Sequence, residues 1–190
     1  RYNQLLGISF ALLSSAILIG FLINTRLIEN LPFLYRYGNL FVLLCMPFSY
    51  LYVRGVISEK GPGRKDALLF LPSLIYAVDF YPILILPGSE KMELYEAIAL
   101  SEGTHLTFEE GWLTLPYFHL FFRHIIMAVF WAMQLRLLLK IRSSNEFLAD
   151  NKYWFYWIWA YQAHQLLYFL PFFIYVISQK IAAIISYSEI

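Results

Sequence analysis

The chain is short of charge and nearly without cysteine, and both shortages exclude a good deal. Lysine, arginine, aspartate and glutamate make up 14% of its 190 residues, against roughly 25% in a soluble globular domain. There is too little polar surface to cover an ordinary core. Fourteen basic residues nearly balance thirteen acidic ones, for a net charge of +1, so no global field draws the chain to nucleic acid. The single cysteine, Cys45, excludes an internal disulfide framework and a cysteine metal cluster. No glycine-rich phosphate loop is present; "GPG" at Gly61–Gly63 is too short and sits in a basic turn. No His-Glu-x-x-His pattern occurs, and His119 and His124 diverge around a helix, so neither a metal nor a cofactor is expected. There is no internal repeat and no low-complexity tract. No small-residue cleavage site follows a short apolar region, so the first segment does not read as a signal peptide. A start at Arg1 rather than Met reads as a fragment or a processed product.

What is present is apolar and aromatic. The hydrophobic share is 60% and the aromatic share 19%, with a mean hydropathy of +0.59. The expectation is an all-α, polytopic transmembrane helix bundle with five spans: Leu5–Ile23, Tyr37–Val53, Ala67–Leu86, Leu113–Met133 and Tyr153–Ser178. A helical span needs about 20 apolar residues to cross roughly 30 Å of hydrocarbon. Pro47 is expected to kink the second span; Pro72 and Pro82 lie within the third, where neighbouring helices or water can satisfy freed carbonyls.

The loops give orientation. Arg54, Lys60, Arg64 and Lys65 crowd one connection, and Arg136, Lys140, Arg142 and Lys152 another. Basic residues beside spans mark the cytoplasm, which sends both connections inside and the acidic loop at 87–113 outside. The connection holding Arg26 and Arg36 is then external, a mild exception. The cations Arg54, Lys60, Arg64 and Lys65 read as contacts to lipid headgroups below an interfacial belt of Tyr50 and Tyr52. Asp66 is placed to cap the following helix. In the acidic loop, "EKMELYEAIAL" has the period of a short amphipathic helix on the membrane surface, and "SEGTHLTFEEGW" reads as a loop with Trp112 at the outer interface.

Pro47 followed by "YLYVR", a short basic turn and "LLFLPSLIYAVDFYPILILP" resembles the membrane region of bacterial transcriptional regulators that carry a carboxy-terminal AraC-type helix-turn-helix domain. An acidic external loop and a basic "LRLLLKIRSS" segment extend the likeness over most of Pro32 to Ile177. The resemblance implies a multi-pass sensor in the bacterial inner membrane. It would couple an envelope or small-molecule signal to DNA through a domain not among these 190 residues. It would not be an enzyme. One further helix at each end would make a seven-helix domain; homodimer formation is left open. Two other classes stand beside this one. The first is an integral membrane hydrolase or metalloenzyme using intramembrane histidine and aspartate, the second an accessory subunit of an envelope complex.

Ionisable groups inside a span are expensive and mark function by default. Asp79, Arg123 and His164 lie on three different spans, each roughly 15–18 Å from one edge by a rise of about 1.5 Å per residue. The matching depth predicts an Asp79–Arg123 ion pair with His164 and one of Gln162 or Gln165 close by. His119, one turn before Arg123, is its expected neighbour on the same helix face. Such a cluster is a ligand or signal pocket, or simply a clamp between helices. Trp157, Tyr161, His164, Tyr168 and Tyr175 trace a stripe that reads as helix packing.

Overall fold

The computed structural model describes residues 2–100, 111–114, 118–142 and 152–188, and the described chain is all-helical. The helices are α1 (Tyr2–Asn24), α2 (Tyr37–Ser58), α3 (Leu71–Asp79), α4 (Tyr81–Leu84), α5 (Gly88–Leu100), α6 (Phe118–Arg142) and α7 (Lys152–Ser188). Three of them, α1, α2 and Phe118–Ile141 of α6, are long and apolar enough to cross a membrane. The chain divides into two compact units, Arg1–Ile126 and Met127–Ile190.

In the first unit α1 and α2 form an antiparallel hairpin. Ser9 is fully buried and its Oγ donates to the Cys45 carbonyl at 3.2 Å. Small residues set the approach: a side chain at Gly55 would meet the Tyr2 ring, and one at Gly38 would touch Ile19. Small residues at helix contacts are the usual means of close packing in lipid. The outer face of α1 exposes Ile8, Phe10, Ile17, Leu18 and Phe21, an apolar surface that suits hydrocarbon and not water. The helix α2 continues through Pro47. The connection from α1 to α2 is two 3-10 turns, with Arg26 and Arg36 both in the left-handed region (φ 61° and 72°). Arg36, assigned above to an external loop, is buried against the rings of Tyr35 and Phe80.

The third expected span is not one helix. A 3-10 segment covers Arg64–Phe70, α3 runs for nine residues, and α4 restarts after Phe80. Pro72 and Pro82 each stand in the first turn of a new helix, where the missing N–H costs nothing. Within this segment Tyr76 and Phe80 stack at 4.5 Å and join Leu43 in a buried cluster. The expected amphipathic helix is α5; it turns Lys91, Tyr95 and Ile98 inward, and Tyr95 and Ile98 pack with Leu22, Ile28 and Tyr35. The expected loop at 101–110 and most of the basic connection at 143–151 lie outside the described residues.

The basic turn is organised by one ion pair. Arg54 grips Asp66 through two parallel hydrogen bonds of 2.7 and 2.6 Å, while Lys60, Arg64 and Lys65 are exposed. Arg54, read above as a headgroup contact, is thus committed to a carboxylate within the chain. Asp66 does not stand at the N-cap; it is three residues in, and accepts from the Gly63 N–H at 2.6 Å. The Arg54 guanidinium and this N–H hold its carboxyl down, to about 2 from an ordinary 3.8. A depressed carboxyl contributes stability that is complete above its unfolded value and is lost as pH falls through the folded one. Asp66→Asn should therefore cost about 1 kcal/mol at neutral pH, after allowance for solvent screening. The deficit should be flat from pH 5 to 8 and close between pH 4 and pH 2. Denaturant titration in detergent at several pH values measures it.

Candidate functional site

The first unit buries one carboxylate, and three segments converge on it. Asp79 ends α3 and is 1% exposed. Its Oδ1 accepts the Leu113 backbone N–H at 2.5 Å; its Oδ2 accepts the Thr114 hydroxyl at 2.5 Å and lies 2.5 Å from His119 Nε2. The segment 111–114 is clasped further by its backbone and its tryptophan. The Trp112 N–H donates to the Asp79 carbonyl at 3.3 Å, and the Trp112 indole N–H to the Val78 carbonyl at 2.7 Å. A side chain at Gly111 would overlap the Asp79 carboxylate, so glycine there is a requirement of close approach.

His119 is 2% exposed and caged by aromatic rings. Tyr76, Phe80 and Phe118 stand edge-on, with centroids at 5.1, 5.0 and 5.1 Å. Its Nδ1 is buried without a hydrogen-bond partner. The tautomer with Nε2–H toward the carboxylate leaves the ring's lone pair on Nδ1. The cage is itself tied down, because the Tyr76 hydroxyl donates to the Arg36 carbonyl at 2.9 Å. What results is a carboxylate–imidazole pair in an apolar surround. It is competent to hold a proton between two groups, and costly to leave half-made.

The predicted Asp79–Arg123 pair does not form. Asp79 is taken by His119, Thr114 and Leu113, and Arg123 instead donates to the Asn39 side chain on α2. His119 does not partner Arg123; it occupies the place one turn earlier that faces the acid. His124 is buried and turns its Nδ1 to the Leu120 carbonyl of its own helix at 2.6 Å.

The glutamines named from sequence belong to a second arrangement, inside the second unit. Gln162 donates from Nε2 to Gln134 Oε1 at 2.9 Å, and Gln134 donates to Gln165 Oε1 at 3.3 Å. All three are buried, and the Trp131 indole N–H caps the Gln162 carbonyl at 3.0 Å. These bonds join α6 to α7. His164 is exposed and, among the described residues, meets Tyr168 on its own helix, at 3.4 Å. The packed stripe of α7 is Ile158, Tyr161, Gln162, Gln165 and Phe169; Trp157 and Tyr175 of the expected stripe are exposed. Sequence reading missed Gln134, Thr114, Asn39 and the Leu113 N–H. A buried glutamine within a charge-free stretch was the one available signal, since polar side chains between membrane helices bond across them.

No protein-family model matches this chain, and no curated protein or solved structure is significantly similar to it.

Asp79→Ala should destabilise the first unit by about 3–5 kcal/mol, because it strands a buried imidazole, a hydroxyl and an N–H together. Asp79→Ala combined with Arg123→Ala should be additive within about 0.5 kcal/mol. Asp79→Asn combined with His119→Gln should show a coupling of about 1–3 kcal/mol. Equilibrium unfolding of the six variants in one detergent checks both cycles. Gly111→Ala should reproduce most of the Asp79→Ala loss while removing no polar group.

Proposed function

We propose that this chain is the membrane-embedded signalling region of a transcriptional regulator of the AraC type, lying in the bacterial inner membrane. The observation that supports it best is the junction at Asp79. One carboxylate ties the segment 111–114, on the external side of the proposed topology, to the end of α3 and to the start of α6. A displacement of that segment by an envelope component or a small molecule changes how His119 is held. His119 stands in the first turn of a helix of 25 residues. That helix ends on Arg136, Lys140 and Arg142, at the cytoplasmic face, where a DNA-binding domain would read the change.

The reading takes the chain to cross the membrane five times. The third crossing is the broken segment within Ala67–Leu86 and the fifth is Tyr153–Ser178 of α7, whose tyrosines, tryptophans and glutamines make it less apolar than α1. An integral enzyme is the second reading. It is favoured by the unpartnered Nδ1 of His119, since an imidazole oriented by a carboxylate is the usual form of a general base. Ester or peptide hydrolysis by the purified protein, lost in His119→Gln, would establish that reading instead.

Two experiments test the regulator. Cys45 is the native cysteine and is buried, so introduced cysteines label above a low background. Lys60→Cys and Ser144→Cys should resist an impermeant reagent in intact cells, while Thr104→Cys should react; the opposite pattern inverts the topology. Deletion of the gene should alter a defined set of transcripts. That set should be restored by the wild-type gene and mis-set by Asp79→Asn at equal membrane abundance. An unaltered transcript profile, or a reading frame that carries no helix-turn-helix beyond residue 190, defeats the proposal.

A further inference from the structure

Lys91 stands among the glutamates of the acidic connection at 87–113. The structure buries it. It projects inward from α5 and is 1% exposed. Its Nζ donates to the Phe33 carbonyl at 3.1 Å and the Leu84 carbonyl at 3.0 Å, and lies 4.9 Å from the centre of the Tyr37 ring. Tyr37 is held there because its hydroxyl donates to the same Leu84 carbonyl at 3.2 Å. Every one of these partners is neutral. No carboxylate among the described residues pairs with Lys91, and burial pulls its pKa below the ordinary lysine value. A buried ammonium without a counter-charge is a costly arrangement. Two of its three N–H groups are in use and one remains.

This lysine lines a cavity of about 290 Å³ whose other walls are Phe33, Leu34, Tyr37, Phe41, Leu84 and Leu86. Apart from the carbonyls and the tyrosine hydroxyl, the walls are aromatic and aliphatic. Phe33 is 57% exposed and Leu31 beside it 38%, so the apolar wall continues outward to the surface. One cation among greasy walls is complementary to a molecule with one negative charge and one apolar tail.

We propose that this cavity binds a single-chain anionic amphiphile of the long-chain carboxylate class, its carboxylate on Lys91 and the first part of its chain along Phe33, Phe41 and Leu86. A small hydrated anion would lose its water to walls that return nothing. A dianionic headgroup would need more donors than the single free N–H supplies. An uncharged alcohol would leave the ammonium as it was. At roughly 30 Å³ per water-sized group, the cavity holds a chain of on the order of ten carbons before the tail emerges. The proposal is independent of the signalling reading, because binding is measured on the purified protein without DNA or transcription.

The test is titration of the full-length protein, in nanodiscs of uncharged lipid, with hexanoate, octanoate, decanoate and dodecanoate. Protein-free nanodiscs correct for partition into lipid. Affinity should rise roughly fourfold per added methylene and level off near ten carbons. Decanol and decylammonium should bind at least tenfold more weakly than decanoate. Lys91→Met should lose at least tenfold in decanoate affinity, and Lys91→Arg should keep most of it. Phe41→Trp narrows the slot while leaving both carbonyl acceptors of Lys91 unchanged, and should also lose at least tenfold; if Lys91→Met fails to fold, this variant decides. Equal affinity for decanoate and decanol, or undiminished decanoate binding in a folded Lys91→Met or in Phe41→Trp, overturns the proposal. In that case Lys91 is only a staple between α5 and the two carbonyls.

Discussion

A carboxylate removed from water must be answered from every side, and most of the first unit is arranged around answering Asp79. Its two oxygens collect a backbone N–H, a hydroxyl and an imidazole from two separate stretches of chain. Each of those groups is itself fixed by the need to reach the acid: Gly111 because nothing larger fits, Trp112 because its indole N–H anchors on Val78, His119 because aromatic rings close around it. In a low-dielectric surround such bonds strengthen, and an unmade one costs more than the average bond contributes. The break between α3 and α4 follows from the same constraint. Ending the helix at Asp79 lets its carboxylate meet a strand of chain that a continuous helix would hold at a distance.

Long apolar runs were legible because length and composition alone identify them. The segments Leu5–Ile23 and Tyr37–Val53 fall within α1 and α2, and the amphipathic period of "EKMELYEAIAL" found α5. The third run misled because composition says nothing of phase. Two prolines that looked like tolerated kinks in one helix are first-turn prolines of two. The site was legible in its residue types and illegible in its pairings. Asp79, His119 and Arg123 were all singled out, yet depth along a helix carries no angle about its axis, and one turn on α6 separates the true partner from the expected one. The buried Lys91 had no signal at all. In sequence it is one cation among glutamates, and only the docking of α5 turns it away from them.

The basic turn shows the same limit at the surface. Four cations within a dozen residues read as one electrostatic patch, but bidentate geometry singles out Arg54 for Asp66 and leaves the other three to water or lipid headgroups. Such a division cannot be read from spacing, since every cation in the patch lies within reach of the acid along the chain.

Two of the polar joints among the described residues are built from different chemistry. The joint at Asp79 and His119 pairs a carboxylate with an imidazole. The joint of Gln134, Gln162 and Gln165 links amide to amide. A molecule made this way has one joint built on groups able to carry charge and one built on amides that carry none.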